Sequence, residues 1–384
     1  MMNRIKSGFL SNGLAVFSMF FGAGNITFPL IVGRDVEGGV TLALLGLMFT
    51  AVLVPFTGLV AVVLFKGDYQ SFFDRIGKIP AFILILLLIG LLGPLGGIPR
   101  LFALTFSTLK IYVLNLHFPS FTLIGCLLMF FFCYKKNRTL DVIGYVLSPV
   151  LLFFLFLIIV KGAFFTPDRI LEDSRVSSPF FYGLKEGYNT MDLIAAFFFA
   201  SLAYKRLEAR SKDEKRRPLV PVLKASSIGS ALLGIIYIGF GYVAAKYSHA
   251  LKDVPAGQIV GKLGHLVLGH HAGLVVGLSV VLTCLTTAIA LTIISADFFQ
   301  KKMCKNKINY EISLAVVLAL TALFSCLDFQ GIVRLLAPVL QVIYPSLLML
   351  CLFNILHKTF AFKAIKIPVF TTMFFALFFQ YLVY

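Results

Sequence analysis

Long apolar stretches follow one another from Gly8 almost to Tyr384, and short polar segments separate them. A helix that crosses the hydrocarbon core of a bilayer needs about 20 mostly apolar residues. The pattern predicts eleven such helices, here called spans 1 to 11, over residues 8–32, 39–65, 80–109, 115–134, 140–165, 180–204, 221–246, 271–297, 309–326, 331–354 and 364–383. We therefore expect an all-α polytopic membrane protein that forms one domain over residues 1–384.

The composition excludes a water-soluble globular domain. Hydrophobic residues make up 59% of the chain and charged residues only 13%, so lipid is the expected solvent for most of it. The six cysteines lie in or beside apolar stretches without paired spacing. This arrangement indicates neither a disulfide framework nor a metal knuckle.

The basic residues are concentrated in the connections between spans. The formal net charge is +17, but Lys and Arg do not form one aromatic-interleaved patch, so nucleic acid is not an expected partner. When the N-terminus is placed in the cytoplasm, the most basic connection, within 205–224, also falls on the cytoplasmic side. This distribution follows the positive-inside rule and predicts a cytoplasmic N-terminus.

One external connection, residues 247–270, is long and contains an apolar periodic run from Ile259 to Leu268. The run predicts a short surface helix. It is either a lid over an outward-facing cavity or a passive loop, and the sequence leaves both open.

Span 1 is interrupted where a membrane helix needs continuous apolar sequence. Gly22, Gly24 and Asn25 fall near mid-membrane depth, ahead of Pro29. Gly destabilises a helix by about 1 kcal/mol relative to Ala, and Asn must desolvate its amide. Small residues also mediate close packing between membrane helices, so a broken helix and a packing surface are both compatible with the pattern.

A second interruption lies in span 6, where residues 187–192 precede the apolar run 193–203. A buried carboxylate such as Asp192 disfavours insertion by at least about 2.5 kcal/mol, which makes it a functional hypothesis. Interrupted helices at corresponding places in two halves indicate an inverted-repeat transporter. We therefore predict a 5+5 inverted repeat with halves 8–165 and 180–354, helices 1 and 6 broken at mid-membrane, and an additional helix over 364–383.

Broken helices supply binding groups from their own backbones. Half-helix N-termini present amide N–H groups to a carboxylate, and freed carbonyls can hold an ammonium group or Na⁺. In span 8, the adjacent Thr286 and Thr287 offer hydroxyl oxygens, and hard cations bind oxygen ligands. Threonines in membrane helices also bond back to their own backbone, so a structural role for each stays open.

Span 3 contains two prolines and a cation in an otherwise apolar stretch, at Pro94, Pro99 and Arg100. Arg100 either pairs with a carboxylate inside the helix bundle or extends its side chain to the membrane surface. The sequence does not favour one of these alternatives.

Five segments together resemble the bacterial branched-chain amino acid:cation symporter family, which has the leucine-transporter-like fold. They occur in the family's order and are distributed over most of the chain. The segments are FFGAGNITFP at 20–29, GPLGGIPR at 93–100, GYNTMDLIAA at 187–196, CLTTAIALTIISADFF at 284–299 and APVLQVIYP at 337–345.

The resemblance implies roles for particular residues. The substrate carboxylate would bind the unwound backbone in span 1, and the break in span 6 would complete the pocket. The implied substrate-binding residues are Gly22, Ala23, Gly24, Asn25, Tyr188, Asn189, Thr190 and Asp192. The implied Na⁺ ligands are the carbonyls of Ser18, Phe21 and Thr283 and the hydroxyls of Thr286 and Thr287.

The resemblance also implies a function and a location. We expect a secondary active transporter of the bacterial inner membrane that imports Leu, Ile and Val, with Met as a further candidate, by Na⁺ symport and alternating access. Proton coupling through Asp192 is the alternative, followed by a non-transporting structural membrane protein. An enzyme is not expected, because the spans show no metal cluster or nucleophile–base pair.

The chain departs from the family pattern in three respects. Family members usually have twelve spans, whereas the apolar pattern predicts eleven. Leu101 stands where a Thr is expected after Arg100, and a carboxylate expected near Ser107 is absent from that segment. These departures concern the substrate and the coupling ion more than the fold.

Overall fold

The computed structural model describes residues 13, 14, 17, 20–112, 115–134, 139–164, 176–210 and 219–383. The fold is all-helical, as the apolar pattern predicts. The main helices are α1 (Ala23–Val36), α2 (Val40–Leu64), α3 (Lys78–Leu92), α4 (Gly97–Lys110), α5 (Phe118–Tyr134), α6 (Thr139–Phe164), α7 (Pro179–Asn189), α8 (Asp192–Arg210), α9 (Leu219–Lys246), α10 (Ile259–Leu268), α11 (His270–Phe298), α12 (Tyr310–Ser325), α13 (Asp328–Phe360) and α14 (Lys366–Val383).

Each of the eleven apolar stretches contains helix in the described residues. Five helical segments are long and apolar enough to cross a membrane by length and composition, and the remaining apolar helices are shorter. The five are Val40–Leu64, Lys78–Lys110, Leu219–Lys246, Gly273–Met303 and Asp328–Phe360.

Helix breaks divide spans 1, 3 and 6. In span 1, Phe21 and Gly22 are not helical and α1 begins at Ala23. In span 6, α7 ends at Asn189 and α8 begins at Asp192, with Met191 between them at a φ of 61°. A left-handed backbone is unfavourable for a side chain such as Met, and such strain occurs mainly where the surrounding structure enforces it.

The break in span 3 was not expected. The apolar pattern predicts one helix over 80–109 with prolines inside it, but residues 93–96 form a turn that separates α3 from α4. Glycine and proline are concentrated in this turn, and Pro94 lacks the amide that a continuous helix requires.

Close backbone contacts hold the broken helices against unbroken ones. α1 packs along α9, while α7 and α8 pack along α2. A Cβ added at Gly33 would collide with the backbone of Gly241, and one added at Gly183 would collide with the backbone of Ala43. Small residues permit this close approach between membrane helices.

The predicted helix at Ile259–Leu268 is present as α10. Ile259, Val260 and Leu263 are buried, and the preceding loop is attached to α1, because Arg34 donates a hydrogen bond to the Val254 carbonyl (2.9 Å). The connection therefore packs on the helix bundle. Whether it moves as a lid stays a prediction.

Candidate functional site

The breaks in spans 1, 3 and 6 meet at one small cavity of about 40 Å³. The lining combines residues from the two half-helix starts, α1 and α8, with residues from α4 and α11. The lining residues are Phe20, Gly22, Ala23, Gly24, Asn25, Leu92, Gly97, Arg100, Leu101, Thr190, Met191, Asp192, Ala195, Phe199, Thr287 and Leu291.

Asn25 connects the breaks in spans 1 and 6 through a buried hydrogen-bond network. Its amide donates to both carboxylate oxygens of Asp192 (2.8 and 2.7 Å) and to the Tyr237 hydroxyl (2.5 Å). Tyr237 in turn donates to Asp192 Oδ2 (2.9 Å). Because all three residues are buried, this network stabilises a carboxylate that would otherwise disfavour folding strongly.

The start of α1 retains amide groups that can face a ligand. The Gly22 N–H is already used, since it donates to Asn25 Oδ1 (2.9 Å). The first backbone bond of the helix is Ile26 N–H to the Gly22 carbonyl (3.3 Å). The amides of Ala23, Gly24 and Asn25 precede that bond, so they have no acceptor within the helix.

Gly24 lies where three chain segments come together. A Cβ added there would lie 2.9 Å from Arg100 Nη2, 3.0 Å from the Thr190 carbonyl oxygen and 3.1 Å from Thr190 Cα. At Gly22, the nearest atom to an added Cβ would be Thr287 Cγ2 at 3.5 Å, an ordinary contact. Close packing thus requires glycine at position 24, whereas position 22 has more room.

Arg100 adopts neither arrangement that the sequence left open. Its side chain is only 4% exposed, so extension to the membrane surface is wrong. Its Nη1 donates to the Asn189 carbonyl (2.5 Å) and its Nη2 to the Thr190 carbonyl (3.4 Å), so its hydrogen-bond acceptors in the described chain are carbonyls rather than a carboxylate. A cation at the end of α7 also complements the negative pole of that helix.

Four of the predicted substrate-binding residues lie in the break of span 6, and the structure separates them into two pairs. Thr190 and Asp192 line the cavity. The Tyr188 ring instead packs against the Tyr344 ring, with centroids 4.8 Å apart and the ring planes tilted by 40°. The Asn189 side chain donates to Glu186 (3.1 Å), and only its carbonyl is directed to Arg100.

The predicted cation ligands form two pairs of neutral oxygens. Thr287 Oγ1 lies 3.4 Å from the Phe21 carbonyl oxygen, and Thr286 Oγ1 lies 2.8 Å from the Thr283 carbonyl oxygen. In both pairs the hydroxyl donates to the carbonyl. Only the Thr286–Thr283 pair is local bonding within one helix, whereas Thr287 bonds across to span 1. The same four oxygens are of the type that hard cations bind. Ser18 lies outside the described residues.

Tyr237 was not among the predicted site residues. It lies in the middle of α9, 212 residues from Asn25 and 45 from Asp192, in a segment that otherwise reads as a plain apolar span. No local motif marks it, because its contacts arise only when α9 packs on α1. Within the described residues, no group of three or more His, Cys, Asp or Glu side chains could hold a metal ion.

Comparison with solved structures identifies the fold. The inward-facing conformation of Mhp1 has a TM-score of 0.60 at 13% identity, over 91% of this chain and 77% of that one. A manganese transporter of Eremococcus coleocola has a TM-score of 0.60 at 12% identity, over 98% of this chain and 86% of that one. The chain thus shares the fold of these two proteins.

Sequence comparison identifies the family. The model of the branched-chain amino acid transport protein family matches residues 5–382, so the chain belongs to that family. The branched-chain amino acid permease BraB of Bacillus subtilis is 27% identical over 357 residues, 91% of this chain and 80% of the relative. The permease BrnQ of the same organism is 27% identical over 358 residues, 91% and 81% of the two chains. The expected family is therefore confirmed, and its members are transporters rather than enzymes.

Proposed function

We propose that the protein imports branched-chain amino acids across the bacterial inner membrane by Na⁺ symport. The observation that carries this proposal is the cavity at the meeting point of the helix breaks, where backbone amides and a buried carboxylate lie beside apolar side chains. The amides suit a substrate carboxylate, and Asp192 suits an ammonium group. The names of BraB and BrnQ, branched-chain amino acid permeases, support this substrate class.

The apolar lining favours an aliphatic substrate side chain. Leu92, Leu101, Phe199 and Leu291 present hydrocarbon to the cavity. In such a pocket one methylene group changes affinity only about 10- to 200-fold, so Leu, Ile and Val should compete, with Met as a further substrate. A cavity of about 40 Å³ has room for a few water molecules only. Substrate binding therefore requires a wider state, as alternating access does.

Helix packing supports the proposed 5+5 inverted repeat. Span 1 packs on span 7 as α1 on α9, and span 6 packs on span 2 as α7 and α8 on α2. When each span is replaced by its counterpart in the other half, span 1 becomes span 6 and span 7 becomes span 2. The first packing pair then becomes the second. The same exchange relates the packing of α6 on α9 to that of α13 on α2. In this proposal eleven spans cross the membrane and the N-terminus is cytoplasmic, in accordance with the basic connections.

The proposed coupling ion follows from the chemistry of the oxygen pairs. The hydroxyls of Thr286 and Thr287 and the carbonyls of Phe21 and Thr283 contain no group that titrates near neutral pH. Such a set can bind Na⁺ but cannot carry a proton. Asp192 is the candidate for proton coupling, because it is buried in the lining of the central cavity and a carboxylate can carry a proton.

We expect leucine uptake into proteoliposomes to be driven by an inward Na⁺ gradient, and we expect Thr287→Ala to lose this stimulation because one of the four oxygens is removed. Uptake of radiolabelled leucine under separate Na⁺ and pH gradients measures both. As controls, excess Ile and Val should reduce uptake, whereas Glu and Lys should not.

Asp192→Asn is the variant that tests the proton alternative, and it is compared with Thr287→Ala. If Thr287→Ala keeps Na⁺ stimulation while Asp192→Asn loses uptake driven by a pH gradient, the proton alternative is correct. Absence of leucine uptake by the wild-type protein under either gradient would remove the proposed function itself.

We expect Gly24→Ala to reduce leucine uptake about tenfold or more, since overpacking a tight contact costs about 1–3 kcal/mol. The added Cβ would press on the Thr190 backbone and on Arg100, so the two breaks would have to separate. Uptake and the melting temperature in detergent measure the effect. The control is Gly22→Ala, where the new Cβ has ordinary contacts and the melting temperature should change less. Equal melting temperatures and equal uptake for wild type and Gly24→Ala would contradict this role for Gly24.

A further inference from the structure

Two buried charges of opposite sign line the central cavity without forming an ion pair with each other. Arg100 is 4% exposed and Asp192 is 2% exposed, and both belong to the lining. They are near enough to interact electrostatically. Each nevertheless makes its hydrogen bonds to other groups: Arg100 to carbonyls, Asp192 to Asn25 and Tyr237.

Arg100 has more hydrogen-bond donors than the described structure uses. A guanidinium carries five N–H donors in a rigid fork, and the described structure uses one on each terminal nitrogen. Its Nε is buried and has no hydrogen-bond partner among the described residues. A buried donor without an acceptor is unfavourable, and the fork geometry matches a carboxylate in a bidentate arrangement.

The surroundings of Arg100 add a second positive feature. The start of α1 lies against it, since an added Cβ on Gly24 would be 2.9 Å from Nη2. The amides of Ala23, Gly24 and Asn25 form the positive pole of that helix. A guanidinium and a helix N-terminus therefore converge on one cavity, and the described chain places no carboxylate between them.

Asp192 has complementary capacity. An ionised carboxylate offers about four acceptor positions, and Asn25 and Tyr237 occupy three of them. One position remains for a further donor. A single ligand that carries an anionic and a cationic group on one carbon atom can satisfy both residues, because Arg100 and Asp192 line the same small cavity.

We propose that Arg100 binds the carboxylate of a zwitterionic α-amino acid, together with the start of α1, while Asp192 binds its ammonium group. This inference rests on the proposed function, and it adds a cationic side chain to a carboxylate site that the family resemblance places on the backbone of span 1 alone. It also gives Arg100 a role in positioning the substrate between the three helix breaks.

The test compares ligands that lack one charged group. L-leucinamide keeps the ammonium but has no carboxylate, and 4-methylpentanoate keeps the carboxylate but has no ammonium. Displacement of radiolabelled leucine from the purified full-length protein measures the relative affinities. In the wild type, leucine should bind at least about 30-fold more tightly than either analogue, because each analogue leaves a buried charge unpaired.

Two variants show which residue binds the carboxylate of the amino acid and which binds its ammonium group. In Arg100→Gln the preference of leucine over leucinamide should fall at least about tenfold, whereas the preference over 4-methylpentanoate should persist. Asp192→Asn should show the reverse pattern. Ligand-induced stabilisation against heat measures the same ratios where leucine binding is too weak for displacement.

Arg100→Lys is the control for a folding defect, since it keeps the positive charge but loses the paired N–H donors of the guanidinium. It should weaken leucine binding about tenfold and leave leucinamide binding unchanged. If Arg100→Gln and Arg100→Lys both keep the wild-type preference over leucinamide, the carboxylate is bound elsewhere and the proposal is wrong, with the transport function intact. A wild-type protein that binds no leucine would instead contradict the proposed function.

Discussion

Replacement of Asn25 by Leu is expected to abolish leucine uptake, to below about 1% of the wild-type rate, because each hydrogen bond to a charged group contributes about 1.5–3 kcal/mol. Asn25 bonds both oxygens of Asp192 and accepts the Gly22 amide. Leu has a similar volume but neither donor nor acceptor, so it would leave the carboxylate with the Tyr237 hydroxyl alone. Uptake of radiolabelled leucine measures the loss, and the melting temperature in detergent shows whether the variant is still folded.

Tyr237→Phe is the matched control for this network. It removes a hydroxyl that donates to one carboxylate oxygen of Asp192 and accepts from the Asn25 amide, and it leaves the Asn25–Asp192 bonds in place. Loss of this one bond to the carboxylate, at the low end of about 1.5–3 kcal/mol, should reduce uptake by little more than about tenfold. Uptake by Asn25→Leu above about a tenth of the wild-type rate, or a larger effect of Tyr237→Phe than of Asn25→Leu, would mean that Asn25 does not organise the site.

The second large effect is expected at the contact between α7 and α2. We expect Gly183→Val to destabilise the fold by about 3 kcal/mol, the upper end for overpacking a core. The new side chain would collide with the carbonyl and Cα of Ala43, and backbone atoms in packed helices cannot move aside individually. Along the same contact, a Cβ at Gly46 would collide with the Phe180 carbonyl. The yield of monodisperse protein and its melting temperature measure the change.

Phe181→Ala is the control on the same helix. Phe181 is 62% exposed, so its loss should change stability by no more than about 0.5 kcal/mol. Because α7 ends at the carbonyls that Arg100 binds, a displaced α7 should also lose substrate binding. A Gly183→Val protein with wild-type yield and melting temperature would contradict the close packing of α7 on α2.

Several parts of the site were predictable because local sequence determines them. A pair of glycines and an asparagine within an apolar span cannot continue a membrane helix without loss, and α1 does begin at Ala23. Asp192 was identified because an ionisable residue at membrane depth needs a partner, and it has Asn25 and Tyr237. The break in span 3 was missed because prolines are tolerated inside membrane helices, and the pattern does not show whether neighbouring helices compensate.

The sequence by itself determined that the chain is a helical membrane protein, where its apolar helices lie, which family it belongs to, and that spans 1 and 6 are interrupted. These properties depend on local composition and spacing, since burial of the backbone in lipid requires helices of a given length. The tertiary structure alone decided that Arg100 turns inward to the end of α7, that Tyr237 bonds Asp192, and that Tyr188 packs against Tyr344 instead of lining the cavity. Those contacts connect residues tens to hundreds of positions apart. Helix packing brings these residues together, and the local order of apolar residues does not determine which helices pack on each other.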